Sequence, residues 1–166
     1  MNGWAWFRLG AVLGFLGVTL GAFGAHGLED RLERLGTAAT YQTAVHYHMY
    51  HAFALLAVGL FAGPFRSSIA LTTAGLSFLF GVIIFSGSLY VLALTGITKL
   101  GAITPIGGVL MLVGWAALAT AASRAIATTP GGWSTDPAAA MPASNAVEFD
   151  VDTVGIETEP EGGHRA

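Results

Sequence analysis

The sequence predicts an all-α integral membrane protein: four transmembrane helices in an antiparallel bundle, with a short interfacial helix between the first two. The chain of 166 residues is 54% hydrophobic and only 10% charged, with a mean hydropathy of +0.65. A soluble domain usually carries about 25% charged residues. Four apolar stretches are each long enough to cross a hydrocarbon core of about 30 Å, which takes about 20 helical residues.

The predicted spans follow one another with short connections. They are Trp4–Ala25, Val45–Ala62, Ser68–Leu94 and Ile103–Ala122. The third is longer than a bilayer requires, so it is expected to tilt, bend or project from the membrane. Gly63-Pro64 closes the second span, and Thr104-Pro105 is predicted to be the N-cap and first helical position of the fourth.

Five glycines recur along the first span at steps of four, three, four and three: Gly10, Gly14, Gly17, Gly21 and Gly24. They fall within an arc of roughly 80° on one helix face. In lipid, small residues at this spacing let a second helix approach closely. The stripe therefore predicts a helix-packing surface.

A cleaved signal peptide is an alternative interpretation of the first span. Arg8 would supply its positive region and residues 22–25 its small-residue cleavage site. The apolar run is longer than the usual signal core of about 7–15 residues. A packing stripe also has no use in a discarded peptide, so a retained membrane helix is favoured.

A short amphipathic helix is predicted between the first two spans. Leu28, Leu32 and Leu35 lie at i, i+4 and i+7 among charged residues, and Gly36 ends the pattern. The helix could lie on the bilayer surface or pack on the bundle, and the pattern does not distinguish the two.

Charge divides the chain into two predicted domains. Residues 1–124, the predicted four-helix domain, hold six basic and three acidic residues, whereas residues 125–166 hold seven acidic residues and one arginine. The second part is rich in Pro, Gly, Ser and Thr and is predicted to be a disordered acidic tail. Basic residues are divided equally between the two membrane sides, so orientation is not determined, although both termini inside is preferred.

The alternating directions of the four spans bring most polar side chains to one end of the bundle. The candidate polar site there comprises His26, Tyr47, His51, Ser86, Ser88, Tyr90 and Thr104. His51 is the first choice for a functional side chain, because ionisable residues inside a membrane are costly. His48 and His51 at i, i+3 could ligate a metal with His26, but no carboxylate or thiolate completes the set, so neither metal nor cofactor is predicted.

Several uncommon strings resemble one family. They are GAFGAHGL at residues 21–28, YHMYHAFALL at 47–56, FSGSLYVLALTG at 85–96, and ITPIGG at 103–108 with Gly114-Trp115. Together they resemble domain of unknown function 423, also called uncharacterised protein family 0382, which includes relatives of transmembrane protein 256. The resemblance covers about residues 9–124 and implies a four-helix membrane protein without an established activity. The acidic tail departs from the short basic ending of bacterial members.

The predicted function is a small, non-enzymatic packing or accessory subunit of a membrane, and the predicted location is the bacterial inner (plasma) membrane. Its partners would be the lipid bilayer and either a second copy of the chain or a larger membrane complex. Two alternatives stay open: a small transporter or channel subunit with a one-sided polar pocket around His51, and an intramembrane metal or haem protein. No basic, aromatic-interleaved patch suggests nucleic acid, and a chain with no cysteine has no thiolate chemistry.

Overall fold

The computed structural model describes residues 2–62 and 68–128, which are almost entirely helical. The elements are α1 (Gly3–His26), α2 (Glu29–Leu35), α3 (Ala38–Ala62), α4 (Ile69–Thr95), a 3₁₀ helix (Thr98–Ala102) and α5 (Thr104–Thr128). Four helices are long and apolar enough to cross a membrane, and the described residues contain no strand. The predicted fold class is confirmed.

Two predicted features fall wholly or largely outside the described part of the chain. These are the Gly63-Pro64 terminator of the second span and the acidic tail. The backbone of α5 continues to Thr128, beyond the boundary expected after residue 124, and that boundary stays a prediction.

Local signals in the sequence account for most helix ends. Asn2 and Ser68 cap α1 and α4 by accepting hydrogen bonds from backbone N–H groups three residues on, at 3.0 and 3.2 Å. Gly36 and Gly96 end α2 and α4 in the left-handed conformation, with φ of 64° and 73°. Because glycine has no Cβ, it takes this conformation without strain.

Two further helix boundaries differ from the predictions. α3 begins at Ala38, seven residues before the predicted Val45, because its first turns bury Tyr41 and Ala44 against neighbouring helices despite their lower hydropathy. Thr104 is the first residue of α5 and not its N-cap. Its hydroxyl bonds to another helix, as described below.

The long helices pack mainly in chain order: α1 on α3, α3 on α4, and α4 on α5. Helices α1 and α5 therefore each have one principal neighbour among the described residues. Most of the remaining surface of these two outer helices carries exposed apolar side chains, as expected for helices that face lipid.

Helix α2 packs on the bundle, which favours the second of the two sequence alternatives for its position. Leu32 is buried in a cluster with Tyr41 of α3 and Ala93 of α4. The Arg31 side chain donates to the carbonyl of Leu94 at 2.8 Å, and the Thr37 hydroxyl donates to the carbonyl of Ala93 at 2.7 Å. These bonds satisfy carbonyls at the C-terminal end of α4.

A polar layer separates two apolar clusters along the bundle. One cluster, around Trp6, Leu55 and Phe78, joins the start of α1, the end of α3 and the start of α4. The other is the α2 docking cluster at the opposite end. Between them α3 places His48 and His51, which are each only 5% exposed.

Candidate functional site

His51 makes two hydrogen bonds, one within α3 and one that joins α3 to α5. Its Nδ1 lies 2.8 Å from the carbonyl oxygen of Tyr47, and the indole Nε1 of Trp115 donates to its Nε2 at 3.3 Å. A carbonyl can only accept, so Nδ1 carries the proton and Nε2 is the acceptor. Both ring nitrogens are therefore occupied in the neutral imidazole, and one tautomer is fixed.

Aromatic rings surround this histidine. Tyr47 stacks on it at a centroid distance of 6.1 Å and lies 4.6 Å from Phe85 of α4. Phe78 and Trp115 approach the imidazole at 5.6 and 6.2 Å and contact each other at 5.1 Å. The candidate site is thus an aromatic cluster built by α3, α4 and α5.

Tyr90 belongs to a separate cluster nearer α2. Its hydroxyl lies 3.4 Å from Nδ1 of His48, and its ring packs on Tyr41 at 5.2 Å. The other edge of His48 lies against α1, close to Gly17 and the backbone of Leu13. This histidine therefore stands between α1 and α4.

The two serines of the FSGS string have different surroundings. Ser88 donates to the carbonyl of Phe85 at 2.9 Å and lies 2.8 Å from the hydroxyl of Thr104, so it links α4 to the start of α5. Ser86 is 1% exposed, and its hydroxyl makes no hydrogen bond within the described residues.

His26 lies apart from the other candidates, exposed in the last turn of α1. The imidazoles of His48 and His51 are directed to different partners. No three His, Cys, Asp or Glu side chains approach closely enough to hold a metal within residues 2–62 and 68–128. A three-histidine site formed by His26, His48 and His51 is not assembled.

Five members of these clusters lie outside the predicted site, and two of them, His48 and Trp115, make hydrogen bonds to predicted residues. His48 is as buried as His51 and contacts Tyr90. Trp115 lies in one of the family-like strings. Its position in the middle of an apolar span, away from an interfacial belt, is a usable signal, because an indole N–H within a membrane needs an acceptor.

The five glycines of the stripe on α1 divide into two groups. Gly10, Gly17 and Gly24 are buried against α3, where a Cβ would collide with Leu56, Met49 and Tyr41 respectively. A Cβ on Gly21 would make ordinary contact with Val45, and a Cβ on Gly14 would meet nothing within 4 Å. The buried group therefore repeats every seven residues, which is the spacing of left-handed helix packing.

Comparison with known proteins places the chain in one family. Residues 20–108 match the model of the family described as "Protein of unknown function (DUF423)". A UPF0382 membrane protein of Staphylococcus epidermidis is 50% identical over 113 residues, which are 68% of this chain and 90% of the relative.

More distant bacteria carry similar proteins. The UPF0382 membrane protein YwdK of Bacillus subtilis is 46% identical over 116 residues, 70% of this chain and 94% of its own length. A Haemophilus influenzae relative is 43% identical over 114 residues, covering 69% and 90% of the two chains. No solved structure matches the chain.

Bacterial relatives that are named membrane proteins, together with four helices able to span a bilayer, confirm the predicted integral location in a bacterial plasma membrane. The chain belongs to the DUF423 (UPF0382) family of small integral membrane proteins, whose biochemical activity is unknown.

Proposed function

We propose that the protein is a non-enzymatic accessory subunit, which packs within the membrane against a second copy of itself or a larger membrane complex. The observation that carries this proposal is that polar side chains of the candidate site hydrogen-bond to neighbouring helices. His51 bonds Trp115, and Ser88 bonds Thr104, so both pairs tie neighbouring helices together. A catalytic site would instead direct a nucleophile and its base toward a substrate.

Assembly is supported by the face of α1 that α3 leaves free. Gly14 has open space where its Cβ would stand, and Ala11, Val18 and Ala22 beside it are exposed. Small residues on a lipid-facing helix permit close approach of another helix, and van der Waals packing then favours association. We call Ala11, Gly14, Val18 and Ala22 the outer face of α1.

Cross-linking in native membranes, followed by sizing in lipid nanodiscs, tests assembly directly. We expect the wild-type chain to form a defined oligomer or to migrate with a larger complex. Gly14→Leu should abolish that species while leaving helicity unchanged, because a Cβ at this position meets no atom within 4 Å among the described residues. Val12→Leu, on a different exposed face of α1, is the matched control and should assemble normally.

Two results would overturn the proposal. One is a wild-type protein that is strictly monomeric both in membranes and in nanodiscs. The other is normal assembly of Gly14→Leu together with every other bulky substitution on the outer face of α1.

A further inference from the structure

A groove beside the His51 cluster opens between α3, α4 and α5. Its volume is about 430 Å³, and four of the residues that line it carry aromatic rings: Tyr47, His51, Phe85 and Trp115. Aliphatic side chains such as Val109 and Leu112 complete the wall on α5. The volume lies within the range of small-molecule sites, roughly 300–1,000 Å³.

The groove runs along α5. Along α5 its lining extends from Pro105 to Trp115, a rise of about 15 Å at 1.5 Å per residue. A volume of about 430 Å³ is enough for a flat ring and part of an attached chain.

The ring walls are held in place before any ligand arrives. Both nitrogens of His51 are bonded, and the indole of Trp115 is fixed by its N–H and by Phe78. Phe85 packs on Tyr47, and its backbone lies against Gly107, where a Cβ would not fit. Rigid walls favour a ligand of matching shape, because little ordering entropy is lost on binding.

One residue that lines the groove carries a donor without a partner among the described residues. The hydroxyl of Tyr47, a residue 41% exposed, makes no hydrogen bond within the described part of the chain. Lipid tails are as apolar as the groove itself, so burial alone does not select an occupant inside a bilayer. Selection requires features that acyl chains lack, namely a ring that stacks on aromatic walls and an oxygen that accepts from a phenol.

We propose that this groove binds a membrane-dissolved molecule of the quinone type: a planar ring bearing carbonyl oxygens, attached to an apolar tail. The ring stacks among Tyr47, Phe85 and Trp115, with one carbonyl accepting from the Tyr47 hydroxyl. The tail follows the aliphatic wall of α5. This site does not rest on the assembly proposed above, and oligomeric state is measured separately on the same sample.

Equilibrium binding of decylubiquinone to the full chain in phospholipid nanodiscs tests the site, with empty nanodiscs as the baseline. We expect saturable binding of one quinone per chain. Gly108→Leu should weaken it at least about tenfold, because Gly108 lines the groove and leucine would fill it. Gly87→Leu is the matched control, since a Cβ on Gly87 meets nothing within 4 Å and Gly87 lies outside the groove lining.

A second pair of variants tests the polar contact without changing the volume greatly. Tyr47→Phe should weaken binding about fivefold through loss of one hydrogen bond, whereas Tyr50→Phe, outside the groove lining, should bind as the wild type does. Binding no greater than that of empty nanodiscs would overturn the proposal, as would full affinity in Gly108→Leu. Equal competition by decanol, which has the tail but no ring, would show an acyl-chain site and would also overturn it.

Discussion

Replacing Gly24 with alanine probes a close contact between α1 and α3. A Cβ at this position would overlap the ring of Tyr41, with Cδ1 at 2.8 Å and Cζ at 3.1 Å. The ring cannot retreat easily, because it is 1% exposed and its hydroxyl donates to the carbonyl of Leu20 at 2.7 Å. Tyr90 packs against its other side. A methyl group at position 24 therefore requires either a shift of α1 or loss of the Tyr41 hydrogen bond.

The expected cost follows from two opposing effects. Inserting a methyl group into a well-packed contact costs about 1–3 kcal/mol. Alanine recovers up to about 1 kcal/mol of helix propensity relative to glycine. Gly24→Ala should therefore lower the free energy of unfolding by about 1 kcal/mol, within a range of about 0–2 kcal/mol.

Gly14→Ala provides the internal control, since it makes the same change in the same helix. A Cβ on Gly14 meets no atom within 4 Å. Only the propensity effect remains, and the variant should be up to about 1 kcal/mol more stable than the wild type. The two alanine variants should differ by about 2 kcal/mol, which is roughly 30-fold in the unfolding equilibrium constant.

Reversible unfolding in mixed detergent–SDS micelles, followed by far-UV circular dichroism, measures both variants on one scale. A third variant, Gly24→Ala combined with Tyr41→Phe, sharpens the test. Without the bond to Leu20 the ring can move, so the combined cost should be smaller than the sum of the single costs. Equal stability of Gly24→Ala and Gly14→Ala would refute the close packing of α1 on α3 through Gly24.

Three further predictions concern the polar layer and α2. His51→Leu should lower the unfolding free energy by about 1–2 kcal/mol, because the Trp115 N–H loses its acceptor. A double-mutant cycle of His51 and Trp115 should give a coupling energy of about 0.6 kcal/mol. Ser88→Ala should lower the unfolding free energy by about 0.6 kcal/mol. Ser86→Ala should leave the unfolding free energy unchanged or raise it, because it removes a buried hydroxyl that has no partner among the described residues. Unfolding in SDS distinguishes a loss of stability from a gain. Leu32→Ala should loosen α2 at a cost of about 2–3 kcal/mol, seen as faster hydrogen exchange confined to α2, and unchanged exchange there would contradict the docked position.

The spans could be predicted because their length is set by the bilayer and not by the partner helix. Any helix that crosses a hydrocarbon core must be apolar for about 20 residues, and this signal is local. The start of α3 could not be found in the same way. Residues 38–44 include Thr40, Gln42 and Thr43, which lower the hydropathy, while Tyr41 and Ala44 are held by neighbours that the local sequence does not reveal.

The polar residues show how much of the candidate site helical periodicity can predict. Helical periodicity predicts which residues share a face, and Tyr47 and His51 do contact each other. It does not predict which helix lies opposite that face. His51 meets Trp115 on α5, whereas His48, three residues earlier, meets Tyr90 on α4. The candidates therefore separate into distinct clusters, and His26 joins none of them.

The glycine stripe illustrates why spacing alone is ambiguous in a membrane helix. Steps of four and three contain a seven-residue repeat, Gly10, Gly17 and Gly24, and a second register that includes Gly14. Only in the first register are all the glycines buried against α3. In the second register, Gly21 still faces Val45 of α3 and only Gly14 has open space beside it. The edge of the stripe at Gly14 is therefore available to a helix other than α3.

Hydrogen bonds in the polar layer determine which helices become neighbours, which apolar packing alone cannot do in lipid. The two apolar clusters at either end would gain little from choosing one helix neighbour over another, because lipid tails compete equally for apolar surface. A buried imidazole has no such alternative, since lipid offers its nitrogens neither donor nor acceptor. The bonds from His51 to Trp115 and from Ser88 to Thr104 thus favour the packing order of α3, α4 and α5 over other arrangements of equally apolar helices.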